Sequence, residues 1–446
     1  MGDKGTGPVD EAAVRTAMAA TSLTTVPTLR TQSRFLRVWG SQSAGSLADQ
    51  ILPVALSLYA VDRGGSAGDI AAILGGRAVA LVICLLAGGL LADRISRTRI
   101  LLVADVVRAV VVLAALLTLG RLPLAALAVV TGVCGAAEAL SRPALRSLIP
   151  ALLPDSLLER GNALVSAVHR GSTMLGALVG AALVTAIGTS AALGAVTLLF
   201  AVGAVAIAGT PDTTARGPAG GVLADAAAGL REVRRRPWVV AVMSAVAVQL
   251  FAGTAPALVL LPLTADRDLG GELAYGIVLA SFAAGALPAI ALAGRWRPGS
   301  PGTVSMLSLT AYAALPLSLA IPLPLPFTAA CFALGGFTVE LYFIHWISAL
   351  QRAIPSAALG KVLALDQLSA YALLPVGYAL TGPAVAAIGE RPTLLVGATL
   401  TAIATAATLV VPGVSRFADP VDAIAAPSQV RGGDEHGAGR EGTDAP

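Results

Sequence analysis

Long apolar stretches alternate with short polar gaps along most of the chain. An apolar α-helix needs roughly 20 residues to cross about 30 Å of hydrocarbon, and twelve stretches approach or exceed that length. Each stretch is therefore predicted to be a transmembrane helix. The predicted spans are residues 36–61, 69–92, 99–119, 122–141, 158–186, 189–209, 238–263, 273–294, 303–321, 326–350, 360–388 and 392–411.

The composition excludes a soluble globular protein. Hydrophobic residues make up 56% and charged residues 13% of the 446 positions, and the mean hydropathy is +0.80. Soluble domains carry about 25% charged residues. The chain is therefore predicted to be an all-α membrane protein.

The basic residues in the gaps predict the orientation, because arginine and lysine accumulate in short cytoplasmic loops. With the N-terminus inside, four arginines lie outside, whereas fifteen basic residues lie inside. The inner set is Arg94, Arg97, Arg99, Arg142, Arg146, Arg160, Arg216, Arg231, Arg234, Arg235, Arg236, Arg295, Arg297, Arg352 and Lys361. Both termini are therefore predicted to be cytoplasmic. The pI near 9.2 is explained by contact with anionic lipid head groups, so no nucleic-acid partner is expected.

An internal repeat of about 201 residues divides the chain into two halves. Gly75 corresponds to Gly276, and Pro154 corresponds to Pro355. Two six-helix bundles are therefore predicted, with the substrate site at their interface near the membrane midplane. The predicted parts are an N-terminal tail (1–35), a first bundle (36–209), a cytoplasmic linker (210–237), a second bundle (238–411) and a disordered C-terminal tail (412–446).

The gap after the second span reads GGLLADRISRTRI from residue 88 to residue 100. This run resembles the cytoplasmic loop signature of the major facilitator superfamily of transporters, although Ser96 stands where a second glycine is usual. The resemblance implies the major facilitator fold and a conformational lock at this loop. The matching residues are Gly89, Asp93, Arg94, Arg97 and Arg99.

Four further stretches narrow the resemblance. The segments 35–60, 104–109, 135–170 and 360–383 are similar to the macrolide-efflux and enterobactin-exporter branch of the superfamily. That branch implies proton-coupled export of drugs, antibiotics, siderophores or other amphipathic natural products. The fifth span departs from the usual antiporter motif, because it keeps Gly176 and Gly180 but lacks the proline and the last glycine. Proton-coupled uptake and a non-transporting receptor or scaffold therefore remain alternatives.

The sequence carries no signature of an enzyme or an ATP-driven pump. Neither of the two lysines, Lys4 and Lys361, is followed by Ser or Thr, so a phosphate-binding GxxxxGK[ST] loop is absent. No His and Cys cluster has the spacing of a metal site. We therefore expect no cofactor and no metal. Strong alanine and arginine usage with few lysines favours a bacterial source, and hence the inner membrane.

Ionisable side chains inside the spans are the candidates for proton coupling, because they cost about 2.5–3.5 kcal/mol each in hydrocarbon and usually mark a pathway or a buried pair. Asp49 lies about 18 Å along the first predicted helix, where burial favours its neutral form. A structural hydrogen bond is an equal alternative for Asp49. Glu340 is favoured over its neighbour His345. The ionisable residues inside the spans are Asp49, Arg77, Asp105, Arg108, Glu138, His169, Arg170, Glu340, His345 and Asp366, of which the candidates for proton coupling are Asp49, Glu340, Glu138 and Asp366.

Charged residues near the inner ends of the spans are candidates for the conformational lock. Glu138, Arg142 and Arg146 are four residues apart and share a helical face, which indicates an ion-pair latch more than direct proton carriage. Asp105 and Arg108 are expected to pair with each other or with the 93–99 loop. The family resemblance implies that an arginine of this loop pairs with Asp366.

Polar and aromatic residues in the spans are candidates for the substrate cavity, since apolar walls with a few polar contacts suit a bulky amphipathic compound. The alternative is that these aromatic residues pack helices together or lie at the membrane interface. The protein is expected to work as a monomer. The cavity candidates are Gln42, Gln50, Gln249, Phe251, Tyr342, Trp346 and Tyr371.

Overall fold

A computed structural model describes residues 29–91, 96–211, 222–296 and 298–419. Asp93 and Arg94 of the loop signature lie outside the described residues. So do most of the two predicted tails and residues 212–221 of the predicted linker.

Twelve helices within the described ranges are long and apolar enough to cross a membrane, which confirms the predicted all-α membrane fold. A shorter helix, α7, joins the two sets of six. The helices are α1 (Ser33–Asp62), α2 (Ala67–Leu91), α3 (Arg97–Leu117), α4 (Leu124–Leu152), α5 (Asp155–Ile187), α6 (Thr189–Ile207), α7 (Val222–Arg234), α8 (Pro237–Leu269), α9 (Glu272–Arg295), α10 (Pro301–Ala311 and Ala314–Ala320), α11 (Leu325–Ala353), α12 (Ser356–Ala372 and Leu374–Ile388) and α13 (Glu390–Ala407).

Each half is a six-helix bundle, and the turns repeat at the predicted spacing. Gly188 joins α5 to α6 with φ +95°, and Gly389, 201 residues later, joins α12 to α13 with φ +86°. Glycine occupies this left-handed region without the steric cost that a Cβ would add. Pro154 and Pro355 precede α5 and α12 in extended conformations. The sequence repeat is therefore a structural repeat.

We call the side of the membrane on which α1 begins the proximal side and the opposite side the distal side. The two halves approach each other closely through small residues in their distal portions. A Cβ on Gly276 of α9 would lie 2.5 Å from the Cβ of Ala181 of α5, and a Cβ on Gly382 of α12 would lie 3.0 Å from the Cα of Gly68 of α2. Small residues allow such backbone contacts. The structure is therefore closed on the distal side.

The helix α8 departs from regular geometry at the predicted cavity residues. A π-helical segment, Gln249–Thr254, contains Gln249 and Phe251, and a second one covers Ala265–Leu269. Short π-helical turns are frequent at functional sites. The side chain of Gln249 points into the C-terminal half, where its Nε2 donates a hydrogen bond to Thr254 Oγ1 at 3.0 Å.

Candidate functional site: buried ion pairs between the helices

Arg108 of α3 is the centre of a buried network that joins three helices. Its Nη1 donates to both carboxylate oxygens of Asp49 of α1, at 2.8 and 3.1 Å. Its Nη2 donates to Asp105 Oδ1 at 2.5 Å. The guanidinium carbon lies 4.6 Å from the ring centroid of Phe200 of α6. One arginine therefore neutralises carboxylates from two helices and stacks on a third helix.

Close packing holds this network away from water. Asp105 is fully buried, and Ser41 Oγ donates to its Oδ2 at 2.9 Å. A Cβ on Gly203 of α6 would lie 2.9 Å from the same Oδ2 atom, so only glycine allows α6 to pass this close to the carboxylate. Asp49 is the more accessible acid, since its side chain is 12% exposed and that of Asp105 is 0% exposed.

Glu138 of α4 forms a second network with the opposite balance of charges. Its Oε2 accepts from Arg77 of α2, from Nε at 3.0 Å and from Nη2 at 2.8 Å. Its Oε1 accepts from Arg142 Nη2 at 2.5 Å. The Arg108 network has two carboxylates for one guanidinium, and the Glu138 network has one carboxylate for two. The two networks therefore compensate each other in charge.

The two networks are neighbours in the interior of the N-terminal half. Asp49 interacts electrostatically with Glu138 and Arg77 as well as with Arg108. Cys134 of α4 is 3% exposed and lies within electrostatic reach of the same four groups. All three cysteines are free thiols. A change of protonation in one network therefore acts on the other.

A third ion pair connects the two halves of the protein. Arg170 Nη1 of α5 lies 2.9 Å from Glu340 Oε1 of α11, although this contact lacks hydrogen-bond geometry. The Arg170 side chain is 47% exposed and the Glu340 side chain is 13% exposed. Both lie about 20 Å from the proximal ends of their helices. Because a charge at this depth avoids lipid, Arg170 faces a water-accessible space between the halves.

Asp366 of α12 has a different environment from the one that the family resemblance implies. Its Oδ1 accepts a hydrogen bond from Trp346 Nε1 at 3.1 Å, and within residues 29–91, 96–211, 222–296 and 298–419 it forms no ion pair. The guanidinium of Arg97 donates to Ser147 O at 3.1 Å. Arg97 and Arg99 therefore do not form the expected pair with Asp366 in this conformation, and Arg94 lies outside the described residues.

The other lock candidates lie at different depths along the helices. Gly89 lies in the last turns of α2, and Arg99 is exposed in the first turn of α3. Asp105 and Arg108 form the expected intrahelical pair, but Arg108 also binds Asp49. Arg146 is exposed and has no carboxylate within ion-pair distance among the described residues. On α4, the expected ion-pair latch therefore consists of Glu138 and Arg142. Arg146 lies on the same helix but does not take part in the pair.

Several expected cavity residues are packing residues in this conformation. Tyr342 and Trp346 are 6% and 1% exposed and stack with ring centroids 6.0 Å apart. Trp346 also contacts Trp238 edge to face, at 5.8 Å. Gln249 is 3% exposed. These three side chains do not line a cavity in this conformation, because they pack against or hydrogen-bond to other residues of the C-terminal half.

The remaining cavity candidates are partly exposed: Gln42, Gln50, Phe251 and Tyr371. The Nε2 atom of Gln42 is buried without a hydrogen-bond partner. On the same helix, Ser46 Oγ lies 3.4 Å from His169 Nδ1 of α5. A polar side of α1 therefore faces α5 and the space beside Arg170.

Two residues of these networks, Arg77 and Arg170, are expected from the sequence as ionisable residues inside the spans, but the sequence assigns neither of them a partner or a role. Both lie near the middle of a span, like the carboxylates that they bind. Matching the depths of opposite charges along the predicted helices would have suggested both pairs. The sequence lacks the rotation of each helix about its axis, which decides between the possible partners.

The fold and the networks define the class: a polytopic helical membrane protein with charged groups buried between two six-helix halves. The sequence model of the Major Facilitator Superfamily matches residues 38–377, and the chain belongs to this superfamily. It is a transporter of this superfamily. No curated protein sequence matches the chain.

Solved transporter structures share the fold at low sequence identity. A peptide transporter POT in complex with sulfate has a TM-score of 0.69 and 14% identity, over 92% of this chain and 100% of that chain. The nucleoside transporter NupG has a TM-score of 0.64 and 14% identity, over 85% and 99%. A D-xylose-proton symporter has a TM-score of 0.63 and 14% identity, over 88% and 100%.

Proposed function

We propose that this protein is a proton-coupled secondary transporter that moves a small molecule by alternating access. The observation that supports this most directly is the sharing of Arg108 by Asp49 and Asp105. When Asp49 takes up a proton, Arg108 keeps its ion pair with Asp105. The buried guanidinium therefore never loses all of its partners, and the large penalty of an unpaired buried charge is avoided.

Asp49 is the proposed proton carrier of this network. It is the more exposed of the two acids, and it belongs to α1, whereas Arg108 and Asp105 belong to α3. Protonation of Asp49 removes the ion pair that holds α1 to α3. A chemical change at one side chain thus changes the attachment of a whole helix, which is what coupling to a conformational change requires.

Glu340 is the proposed second coupling residue. Its ion pair with Arg170 joins the two halves. Rocking of one half against the other changes the distance between groups on α5 and α11. Protonation of Glu340 would release Arg170, so we propose that this pair senses the state of the cavity. Glu138 is held by two arginines, which makes it less suited to exchange protons. Asp366 accepts a hydrogen bond from the neutral indole of Trp346 and has no cation within ion-pair distance among the described residues, so it stays a third candidate.

Export is the proposed direction of substrate transport, with protons moving in the opposite direction. The support for export is the resemblance of segments 104–109, 135–170 and 360–383 to macrolide and enterobactin exporters. We also propose a bacterial inner membrane, a cytoplasmic location of both termini and function as a monomer. The proximal side is then the cytoplasmic side, and the distal closure corresponds to an inward-facing state.

Uptake by proton symport is the second candidate, and the Arg170–Glu340 pair favours it. Protonation of Glu340 would free Arg170 to bind a negatively charged group, so that a proton and an anionic substrate would bind together. Among the structures of similar fold is a D-xylose-proton symporter.

A proton-flux assay in proteoliposomes tests the proposal. The vesicles contain a trapped pH indicator, and an outward gradient of each test compound is imposed without a pH gradient. The compounds are macrolides, catecholates, lipophilic cations and organic acids. Antiport predicts proton movement against the direction of the compound, and symport predicts movement with it. If labelled compound crosses the membrane and no proton moves, the proposed coupling is wrong.

A further inference from the structure

The proximal part of α4 and the middle of α5 carry more positive than negative charge toward the space between the halves. The side chains of Arg142 and Arg170 are 39% and 47% exposed, and Arg146 and His169 are exposed as well. We call Arg142, Arg146, His169 and Arg170 the basic site.

These four residues form one cluster although they come from two helices. The imidazole of His169 interacts electrostatically with all three arginines. His169 Nδ1 also lies 3.4 Å from Ser46 Oγ of α1. The cluster therefore faces the interior between α1, α4 and α5. Arginines that served as anchors in lipid head groups would point away from this interior.

The acids at the edge of the cluster do not neutralise it. Glu138 is shared between Arg77 and Arg142, Glu340 binds Arg170, and Arg146 has no carboxylate within ion-pair distance in the described part of the chain. Among the side chains that the structure describes, the three guanidinium groups of the basic site thus stand against two carboxylates, one of which is shared with Arg77. Both carboxylates lie at the back of the site, with side chains that are 8% and 13% exposed, whereas the three guanidiniums are accessible.

We propose that the basic site binds a negatively charged group of the substrate, such as a carboxylate or a phosphate, and that the substrate is therefore an organic anion or a zwitterion. Guanidinium groups bind both of these anions through paired hydrogen bonds. The anion competes with Glu340 for Arg170, so substrate binding breaks the ion pair that links α5 to α11. The substrate class rests on the proposed transport function, but the site itself can be tested without transport.

The local charge can be measured with an introduced cysteine. Ser166 is exposed and lies one turn before Arg170 on α5. The Ser166→Cys variant is prepared after Cys84, Cys134 and Cys331 have each been replaced by alanine. Its labelling rates with an anionic sulfonatoethyl and a cationic trimethylammonioethyl methanethiosulfonate are compared, and their ratio is normalised to the ratio for 2-mercaptoethanol.

The basic site predicts an anionic-to-cationic ratio about fivefold or more above that of the free thiol, because one unit charge within a helical turn changes both rates in opposite senses. Arg170→Gln and Arg142→Gln should each lower the ratio severalfold. Glu340→Gln should raise it, because it removes the competing negative charge. Arg121→Gln is the control, since Arg121 is exposed in the distal turn between α3 and α4, away from the site. A ratio at or below that of the free thiol would overturn the proposal.

Two further comparisons identify the source of the anion. The labelling is repeated in vesicles of phosphatidylcholine alone and in vesicles with added phosphatidylglycerol. An unchanged ratio is expected for a site that binds soluble anions, and a loss of the preference would show that a lipid head group occupies it instead.

In the flux assay, 2,3-dihydroxybenzoate should move protons more than its methyl ester does, and the reverse order would contradict the anionic class. Because the labelling needs no transport, its result is independent of the proposed function.

Discussion

The Nη1 atom of Arg108 lies 2.8 and 3.1 Å from the two carboxylate oxygens of Asp49, and this contact ties the centre of α1 to α3. The side chain of Arg108 is 3% exposed and that of Asp49 is 12% exposed. Removing one partner from a buried ion pair costs about 3–5 kcal/mol when the other charge is left without compensation. Here Asp105 remains beside Arg108, so the loss of the Asp49 charge is tolerated.

Asp49→Asn is expected to fold normally and to lose proton coupling. Asparagine is similar in shape to a protonated aspartate, and Arg108 keeps Asp105. We expect the unfolding temperature in detergent to change little and substrate-driven proton flux to fall at least tenfold. Asp62→Asn, in the exposed last turn of the same helix, is the control and should keep the flux. Full proton coupling in Asp49→Asn would show that another group carries the proton.

Arg108→Gln is expected to destabilise the N-terminal half. The substitution leaves Asp49 and the fully buried Asp105 without a cation, at a cost of about 3–5 kcal/mol. The double variant Arg108→Gln with Asp105→Asn should regain part of this stability, because the most buried charge is also removed. Thermal unfolding of both variants in detergent measures the effect. Equal losses in the single and the double variant would contradict the pairing.

The number of membrane-spanning helices could be predicted from the sequence because the requirement to span hydrocarbon depends on length and polarity alone. The fourth span, predicted as 122–141, is a longer helix, Leu124–Leu152, because its polar proximal part continues beyond the apolar stretch. The predicted span 36–61 is Ser33–Asp62 in the structure, and the predicted span 189–209 is Thr189–Ile207. The break of α10 between Ala311 and Ala314 was not predicted, because all of these residues are apolar or small. Neither was the π-helical segment that begins at Gln249.

The partners of the buried charges could be predicted only in part. The pair of Asp105 and Arg108 follows from their spacing of three residues on one helix. Asp49 and Arg108 are 59 positions apart, and their contact depends on the rotation of two helices. The family resemblance implies a pair of Asp366 with a loop arginine, whereas in the structure Asp366 Oδ1 accepts a hydrogen bond from Trp346 Nε1. Long-range pairing therefore needed the structure.

Single neutralisations of the pair between the halves should affect transport more than stability. Arg170 is 47% exposed, and exposed ion pairs contribute about 0.2–1 kcal/mol. Arg170→Gln and Glu340→Gln should therefore unfold close to the wild-type temperature, while substrate-driven proton flux falls severalfold. The exchange variant Arg170→Glu with Glu340→Arg should recover part of the lost proton flux. If both single variants transport normally, the pair has no role in coupling.

The segment after α13 should stabilise the proximal end of the C-terminal half. Phe417 is 2% exposed, stacks on Trp238 at 6.0 Å and has φ +50°, which is unfavourable for a residue other than glycine. Asp419 Oδ1 accepts from Trp238 Nε1 at 2.8 Å. Phe417→Ala is expected to cost about 3–5 kcal/mol. Val410→Ala, at a residue that is 85% exposed, should change the unfolding temperature little.

The hydrogen bond from Trp346 to Asp366 should contribute to the same region. In Trp346→Phe the aromatic packing is largely kept, but Asp366 Oδ1 loses its donor, which is expected to cost about 1–3 kcal/mol. Asp366→Asn keeps an acceptor oxygen for the indole and should cost less. Thermal unfolding of the two variants compares these losses. A larger loss in Asp366→Asn would show that the negative charge, and not the hydrogen bond, is what matters.

Gly276→Val is expected to weaken the distal contact between the halves. A Cβ at this position would lie 2.5 Å from the Cβ of Ala181 and 3.1 Å from the carbonyl oxygen of Ala177, so α9 must move away from α5. The distally closed conformation should therefore become less populated. Labelling of Ser166→Cys from the proximal side should slow severalfold. Gly40→Val is the control, because no atom lies within 4 Å of its Cβ position and the same glycine-to-valine change is made within a helix. An equal slowing in both variants would show that helix propensity, and not the contact between the halves, determines the effect.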